Sequence, residues 1–467
     1  MLFSSLSFLY YYFPCVVILY TLTPKAFKNA VLLLSSLAFY AWGEPQYVLI
    51  MLVSILFGYI FGILIQHFNE KKRLSKLFLC LSAITSLSAL VYFKYADFFI
   101  ENFSRATGIS LNALNLVLPI GISFYTFQIL SYTVDIYRGR CEAQKNPINL
   151  AVYITFFPQL IAGPIVRYSD IESQLTQRTH SIEKSNTGIK RFIAGLSKKV
   201  IFANTFGELC NLFNLSDDKS ILFYWLFAFS YMLQIYFDFS GYSDMAIGLG
   251  NIFGFKLPEN FHYPFCAKSI TDFWRRWHIS LGTWFRDYVY IPMGGSRCKS
   301  SKMFINIFTV WILTGLWHGA EWNFIVWGIY FAVLLCLEKF LFKKYIEKLK
   351  VLRHIYVIFF VTLSFVIFSA PSIREIFYHI KTMFGITELP FISPGFIYYL
   401  KSFGITLLLG GICSTPLLKI IKRKITSDSK EKIYVTVLEN IIILMLLFIC
   451  TAYLVDGSFN PFLYFRF

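Results

Sequence analysis

Two histidines stand in apolar surroundings, 40 residues apart. His318 lies in Trp317-His318-Gly319, inside the apolar run from Met303 to Leu337. His278 lies in Phe273-Trp-Arg-Arg-Trp-His278-Ile-Ser280. Ionisable groups at membrane depth are costly to bury; they usually face a cavity and do work. An imidazole can take or give a proton near neutral pH. The pair therefore points to proton-transfer chemistry inside a bilayer. The alternative for His318 is a structural role, with both ring nitrogens on neighbouring carbonyls. For His278 it is an interfacial helix with an aromatic belt, which accounts for the tryptophans and arginines better than for the histidine. His67, His180, His262, His354 and His379 fall in or beside polar loops and read as surface or interfacial residues.

The elements that must position these groups are membrane helices. The chain has 467 residues, 57% hydrophobic and 15% charged, with a mean hydropathy of +0.59. A soluble protein would carry about 25% charged residues. Apolar stretches of spanning length recur from end to end, which implies an all-α polytopic membrane protein. The spacing predicts spans near 4–22, 29–42, 46–65, 77–93, 114–137, 192–214, 221–249, 303–320, 322–338, 355–370, 397–418 and 434–455. No soluble domain stands apart: residues 1–467 read as one transmembrane domain, with a catalytic core over 148–338.

The net charge of +17 does not indicate nucleic acid. Its Lys and Arg fall in short loops on alternate sides of the spans, as the positive-inside rule expects. Lys71, Lys72, Arg73 and Lys76 form one such loop. Lys339, Lys343, Lys344, Lys348, Lys350 and Arg353 form another, and Lys419, Lys422, Arg423, Lys424, Lys430 and Lys432 a third. With these loops in the cytosol, both termini are expected outside. Met1 to Tyr20 has no basic n-region and no small-residue cleavage site, so it is not read as a cleavable signal. The stretch Ile148 to Gly163 contains Pro158 and has basic residues on both flanks; it is expected to be re-entrant. Irregular backbone at that depth must be buried in protein or line a cavity, which makes Phe157-Pro158-Gln159 and Ala162-Gly163-Pro164 candidate cavity walls. Nine scattered cysteines form no CxxC pair and no Cys/His cluster, so no metal site is expected.

Ser269 to Tyr290 reads as one amphipathic helix. Ser269-Ile-Thr-Asp272 supplies a capping-box-like start. Trp274, Trp277, His278, Leu281, Phe285 and Tyr288 then recur at helical spacing. Arg275 and Arg286 share another face. Asp238 and Asp244, in Tyr236-Phe-Asp-Phe-Ser-Gly-Tyr-Ser-Asp244, are six residues apart and share no helix face. They read as structural acids, with Ser240, Tyr242 and Ser243 as local partners.

These motifs resemble the signature of the membrane-bound O-acyltransferases. The resemblance rests on Phe273-Trp-Arg-Arg-Trp-His278-Ile-Ser-Leu, Trp284-Phe-Arg-Asp-Tyr288, Tyr290-Ile-Pro-Met-Gly-Gly295, Thr314-Gly-Leu-Trp-His318-Gly-Ala and Tyr236 to Asp244. Phe156-Phe-Pro-Gln-Leu-Ile-Ala-Gly-Pro164 and Asn460-Pro-Phe-Leu-Tyr-Phe-Arg-Phe467 are similar to the branch of the bacterial alginate O-acetylation membrane subunit. The resemblance implies a helical ring around a funnel, in a bacterial cell membrane. It also implies an acyl group passing from a cytosolic thioester, such as acetyl-CoA, to a hydroxyl, with no permanently bound cofactor. His278 and His318 correspond to the family's two histidines. His318 is expected to act as general base and His278 to orient the substrate or polarise the thioester carbonyl. Trp274, Arg275, Arg276, Trp277, Arg286, Asp287, Tyr288 and Trp317 are candidate substrate- or donor-binding residues. The arginines fit either donor phosphates or anionic membrane lipid. Expected partners are a polysaccharide acceptor, reached directly or through an extracytoplasmic SGNH-hydrolase-like acetyltransferase. D-alanyl transfer to teichoic acid is the related alternative. A transporter with a histidine proton relay is the alternative from another class, disfavoured because the unusual elements cluster between 148 and 320 and are not repeated in two halves.

Overall fold

Hydrocarbon offers no hydrogen-bond partners, so a spanning segment must satisfy its own backbone as a helix or closed barrel. The computed structural model describes residues 1–348, 350–425 and 429–456, and among them there is no strand. The closing motif Asn460 to Phe467 lies outside the described residues. The chain divides into two compact units: Met1–Phe192 with Met245–Pro258, and Ile193–Asp244 with Glu259–Phe467.

The first unit contains α1 (Phe13–Leu22), α2 (Lys28–Gly43), α3 (Val48–His67), α4 (Lys72–Thr107), α5 (Ile122–Tyr137), α6 (Pro147–Thr155), α7 (Phe157–Leu160), α8 (Tyr168–Thr176) and most of α9 (Ile182–Ser197). The Ile148–Gly163 stretch is two short pieces broken at Phe156. At 9 residues, α6 is about 14 Å long, half of what a bilayer core needs. Its break is buried and tied to its neighbours: Phe157 N–H donates to Ser36 Oγ at 3.1 Å and Gln159 Nε2 to the Tyr153 carbonyl at 2.7 Å.

The second unit holds a π-helical turn (Lys198–Ala203), α10 (Asn204–Leu215), α11 (Ile221–Ile252) as far as Asp244, α12 (Ile270–Trp274), α13 (Ile279–Phe285), α14 (Ser300–His318), α15 (Trp322–Leu337), α16 (Lys343–Lys348), α17 (Leu352–Ser369), α18 (Ile373–Met383), α19 (Pro394–Cys413), α20 (Leu417–Ile425) and α21 (Ser429–Val455). Helices α14 and α15 form a tight hairpin. A methyl group on Gly315 would run into the Phe324 carbonyl, and one on Gly328 into the Trp311 carbonyl. Glycine at both positions lets the two backbones touch, as small residues do between membrane helices.

Seven described helices are long and apolar enough to cross a membrane: 45–67, 72–107, 221–252, 322–342, 352–369, 394–413 and 433–455. Each coincides with an expected span. The other expected spans fall on α2 and α5, of 16 residues each, on the shorter apolar helix Phe8–Leu22, on α9 and α10 with the π turn between them, and on α14. The chain is an all-α, multi-pass membrane protein. On α21, Leu444, Met445 and Phe448 are exposed, as lipid contact requires.

The two acids of α11 have partners that the sequence did not suggest. Lys199 Nζ lies 2.6 Å from Asp238, with both side chains 3% exposed, and Lys198 Nζ lies 2.6 Å from Asp244. Consecutive lysines of the π turn thus hold acids that the sequence reading had assigned to neighbouring hydroxyls. The missed signal is long-range: the lysines precede the acids by about forty residues.

Candidate active site

The expected single helix from Ser269 to Tyr290 is broken. α12 ends after Trp274, the chain turns through Arg275–His278, and α13 starts at Ile279 and passes into a π turn, Arg286–Tyr290. His278 sits at the break in the left-handed region, φ 44° and ψ 52°. That conformation costs a non-glycine residue roughly 1–2 kcal/mol, so the surroundings must impose it. Periodicity alone could not show the break, because the aromatic spacing continues across it.

α12 is secured at its start. Ser269 Oγ accepts the Asp272 N–H at 3.0 Å, the first half of the expected box. The second half differs: the Asp272 carboxylate takes the N–H of Lys268 at 3.0 Å and Arg276 Nε at 2.9 Å. Buried Glu338, just past α15, accepts the N–H groups of Ile270 at 2.5 Å and Thr271 at 2.9 Å, and the Thr271 hydroxyl at 2.8 Å. A carboxylate at a helix N-terminus stabilises unpaired N–H groups and the helix dipole.

A cavity of about 910 Å³ lies against this segment. His278, Trp274, Arg275 and Arg286 line it, with Trp311 and Thr314 of α14. Lys268, Lys339 and Arg353 add three cations, and among the described residues Glu338 is the one carboxylate on its wall. Sequence reasoning had counted Lys339 and Arg353 as ordinary loop charges. Only the chain's folding back between α15 and α17 places them beside Arg275.

The structure brings the two histidines together through one indole. The Trp317 ring centroid is 5.9 Å from that of His278 and 5.2 Å from that of His318. His318 packs edge-on against Trp327 at 5.1 Å and Phe368 at 5.4 Å. His278 is 2% exposed and His318 is 7% exposed. Burial, with a smaller contribution from nearby His318, holds the His278 imidazole well below its ordinary pKa of 6.5. It is neutral at physiological pH.

The other expected binding residues divide. Arg276 is engaged by Asp272 and reaches the His262 carbonyl at 3.5 Å, away from the cavity wall. Trp277 stacks on Phe273 at 5.5 Å and packs against Phe365 at 5.4 Å in the core. Asp287 grips Arg286 at 2.7 and 3.3 Å, and Tyr288 packs on Trp284 at 5.1 Å. Sequence reasoning missed Asn260, which is fully buried. It lies in an irregular loop, where periodicity says nothing about side-chain direction.

Residues 66–380 match the model of the membrane-bound O-acyltransferase family. The chain is 39% identical to the probable alginate O-acetylase AlgI of Pseudomonas aeruginosa over 390 residues, covering 82% of this chain and 75% of that one. It is 34% identical to the peptidoglycan O-acetyltransferase of Helicobacter pylori, covering 83% and 80%. It is also 34% identical to the teichoic acid D-alanyltransferase of Bacillus subtilis, but there over 56% of this chain and 71% of that one. With the sequence motifs, the multi-pass helical fold and the family match in agreement, the chain belongs to the membrane-bound O-acyltransferase family.

Proposed function

We propose that this O-acyltransferase takes an acetyl group from acetyl-CoA on the cytosolic side of a bacterial cell membrane and delivers it to a hydroxyl destined for an exported polysaccharide. The observation that carries the reading is His278 on the wall of a cation-lined cavity, with His318 one indole ring away. A thioester donor with a phosphate-bearing tail suits that wall, because guanidinium pairs with phosphate in a planar fork. Arg275 and Arg286, with Lys268, Lys339 and Arg353, would hold the tail. His318 takes the proton of the attacking hydroxyl as general base. His278 orients the substrate. Its Nδ1 faces Asn260 Oδ1 at 3.2 Å, and Nε2 has no hydrogen-bond partner. A neutral ring in that state accepts a hydrogen bond through Nε2 and cannot polarise a carbonyl, which needs a donor.

Acetyl is favoured over D-alanyl because the O-acetylating relatives match far more of the chain. The names of those relatives support a glycan acceptor, alginate-like or peptidoglycan-like. The acetyl group reaches it directly or through an extracytoplasmic partner of the SGNH-hydrolase type, a part of the reading that rests on the sequence motifs alone. The charge of the basic loops supports a topology with both termini outside. The test is release of free CoA by the purified protein from acetyl-CoA in the presence of a polysaccharide acceptor. Stimulation by the acceptor supports the reading. Turnover only with a D-alanyl carrier thioester contradicts it.

A further inference from the structure

Asn260 makes the most concentrated set of polar contacts beside the site. Its Oδ1 accepts the N–H of Ser280 at 3.2 Å and the Ser280 hydroxyl at 2.9 Å, and it lies 3.2 Å from His278 Nδ1. Its carbonyl accepts the N–H of Ile279 at 3.0 Å. Its Nδ2 donates to Ser243 Oγ of α11 at 3.2 Å. The residue is 0% exposed.

These contacts settle the orientation of the amide. A backbone N–H can only donate, so the atom facing Ser280 N must be the amide oxygen. An amide oxygen can only accept, so His278 Nδ1 must carry its proton. Nε2 is then the lone-pair nitrogen. It has no hydrogen-bond partner and belongs to a side chain on the cavity wall. The same residue pins the left-handed turn at His278 through the bonds to Ile279 and Ser280. One buried amide, fixed to α11 through Ser243, therefore sets both the ring's place and its tautomer.

We propose that Asn260 is a positioning residue for acyl transfer: it holds His278 as the Nδ1–H tautomer, with the Nε2 lone pair presented to the substrate. Its dependence on the acyl-transfer reading is limited to the catalytic arm of the test below.

The charged groups around the imidazole are these. His318 at the end of α14 opposes its protonation. Lys268, Arg275, Arg286, Lys339 and Arg353 share its cavity, and Glu338 there is engaged by α12. On α11, Asp238 and Asp244 are neutralised by Lys199 and Lys198. A carboxylate replacing the Asn260 amide would receive the same donors from Ser280 and His278, with Ser243 turned to donate as well. It would stay ionised and favour the imidazolium. An opposite charge this close raises a pKa by about 1–3 units.

The experiment compares full-length wild type with Asn260→Asp and Asn260→Leu in lipid nanodiscs. Carbethoxylation of His278 by diethyl pyrocarbonate, which attacks only a neutral imidazole nitrogen, is followed by peptide mass spectrometry across pH. Turnover of acetyl-CoA is measured over the same range. In wild type, His278 should react on Nε2 down to below pH 6.5. In Asn260→Asp the midpoint of labelling and the acid limb of turnover should both move up by about one unit or more. Asn260→Leu should lose regiospecific labelling and lower kcat with little change in KM. Unshifted labelling in Asn260→Asp, or wild-type kcat in Asn260→Leu, overturns the proposal. If Asn260→Leu does not insert, the aspartate variant decides alone. If the wild type itself does not turn over acetyl-CoA, the acyl-transfer reading fails, while the labelling midpoints still decide the role of Asn260.

Discussion

At the scale of single residues, the site divides into groups that line the cavity and groups that hold those in place. Arg275 and Arg286 are on the wall, Arg286 with its guanidinium also held by Asp287, whereas Arg276 is tied to Asp272 and lies off the wall. Arg275→Lys and Arg286→Lys should therefore raise the KM for acetyl-CoA several-fold while leaving the acceptor KM unchanged, because charge is kept but the planar fork is lost. Arg276→Lys should leave the donor KM near wild type. Initial-rate kinetics in detergent or nanodiscs check this, and an unchanged donor KM in all three variants would return the arginines to lipid contact. The histidines and the arginines beside them were legible in the sequence because aromatic and cationic residues in a greasy run are conspicuous. Asn260, Lys199 and Glu338 were not, since each acts on a group 18 to about 70 residues away in the chain.

At the scale of elements, two devices position the site, and they differ in what breaks them. The first is the α14–α15 hairpin, which carries His318 near its turn and brings Trp327 against it. Gly315→Val should force the helices apart, since overpacking alone costs about 1–3 kcal/mol, and should lower both thermal stability and turnover. The second is the buried pair of Lys199 and Asp238 between the π turn and α11. Lys199→Ala takes the cation from a buried carboxylate and should destabilise the protein by up to about 3–5 kcal/mol, whereas the double change Lys199→Leu with Asp238→Leu should recover much of that loss. Thermal unfolding followed by tryptophan fluorescence separates the two outcomes; a double variant no better than the single one would mean that the charges themselves are required. Helical periodicity located most elements, yet it ran through the break at Arg275–His278. A left-handed residue pinned by distant bonds leaves no trace in local spacing.

At the scale of the whole molecule, the apolar pattern identified the seven long spans well, because crossing hydrocarbon demands length that short helices lack. The stretches over α2 and α5 read as spans but are 16 residues long, and hydropathy does not distinguish a short buried helix from a crossing one. The side of each loop is a further expectation from charge. With residues 148–163 re-entrant, single cysteines at Cys141 and Ser169→Cys, in an otherwise cysteine-free chain, should label from the same side of the membrane. Labelling from opposite sides would mean that α6 and α7 cross. The central claim is that this membrane protein transfers an acyl group with His318 as the base. The most direct measurement is acetyl-CoA turnover by His318→Asn at matched membrane expression, beside wild type and His278→Asn. An amide cannot take the hydroxyl proton, so His318→Asn should lose about 100- to 10,000-fold in rate, while His278→Asn retains part of its activity through a surviving hydrogen bond. Near-normal turnover by His318→Asn would contradict the account.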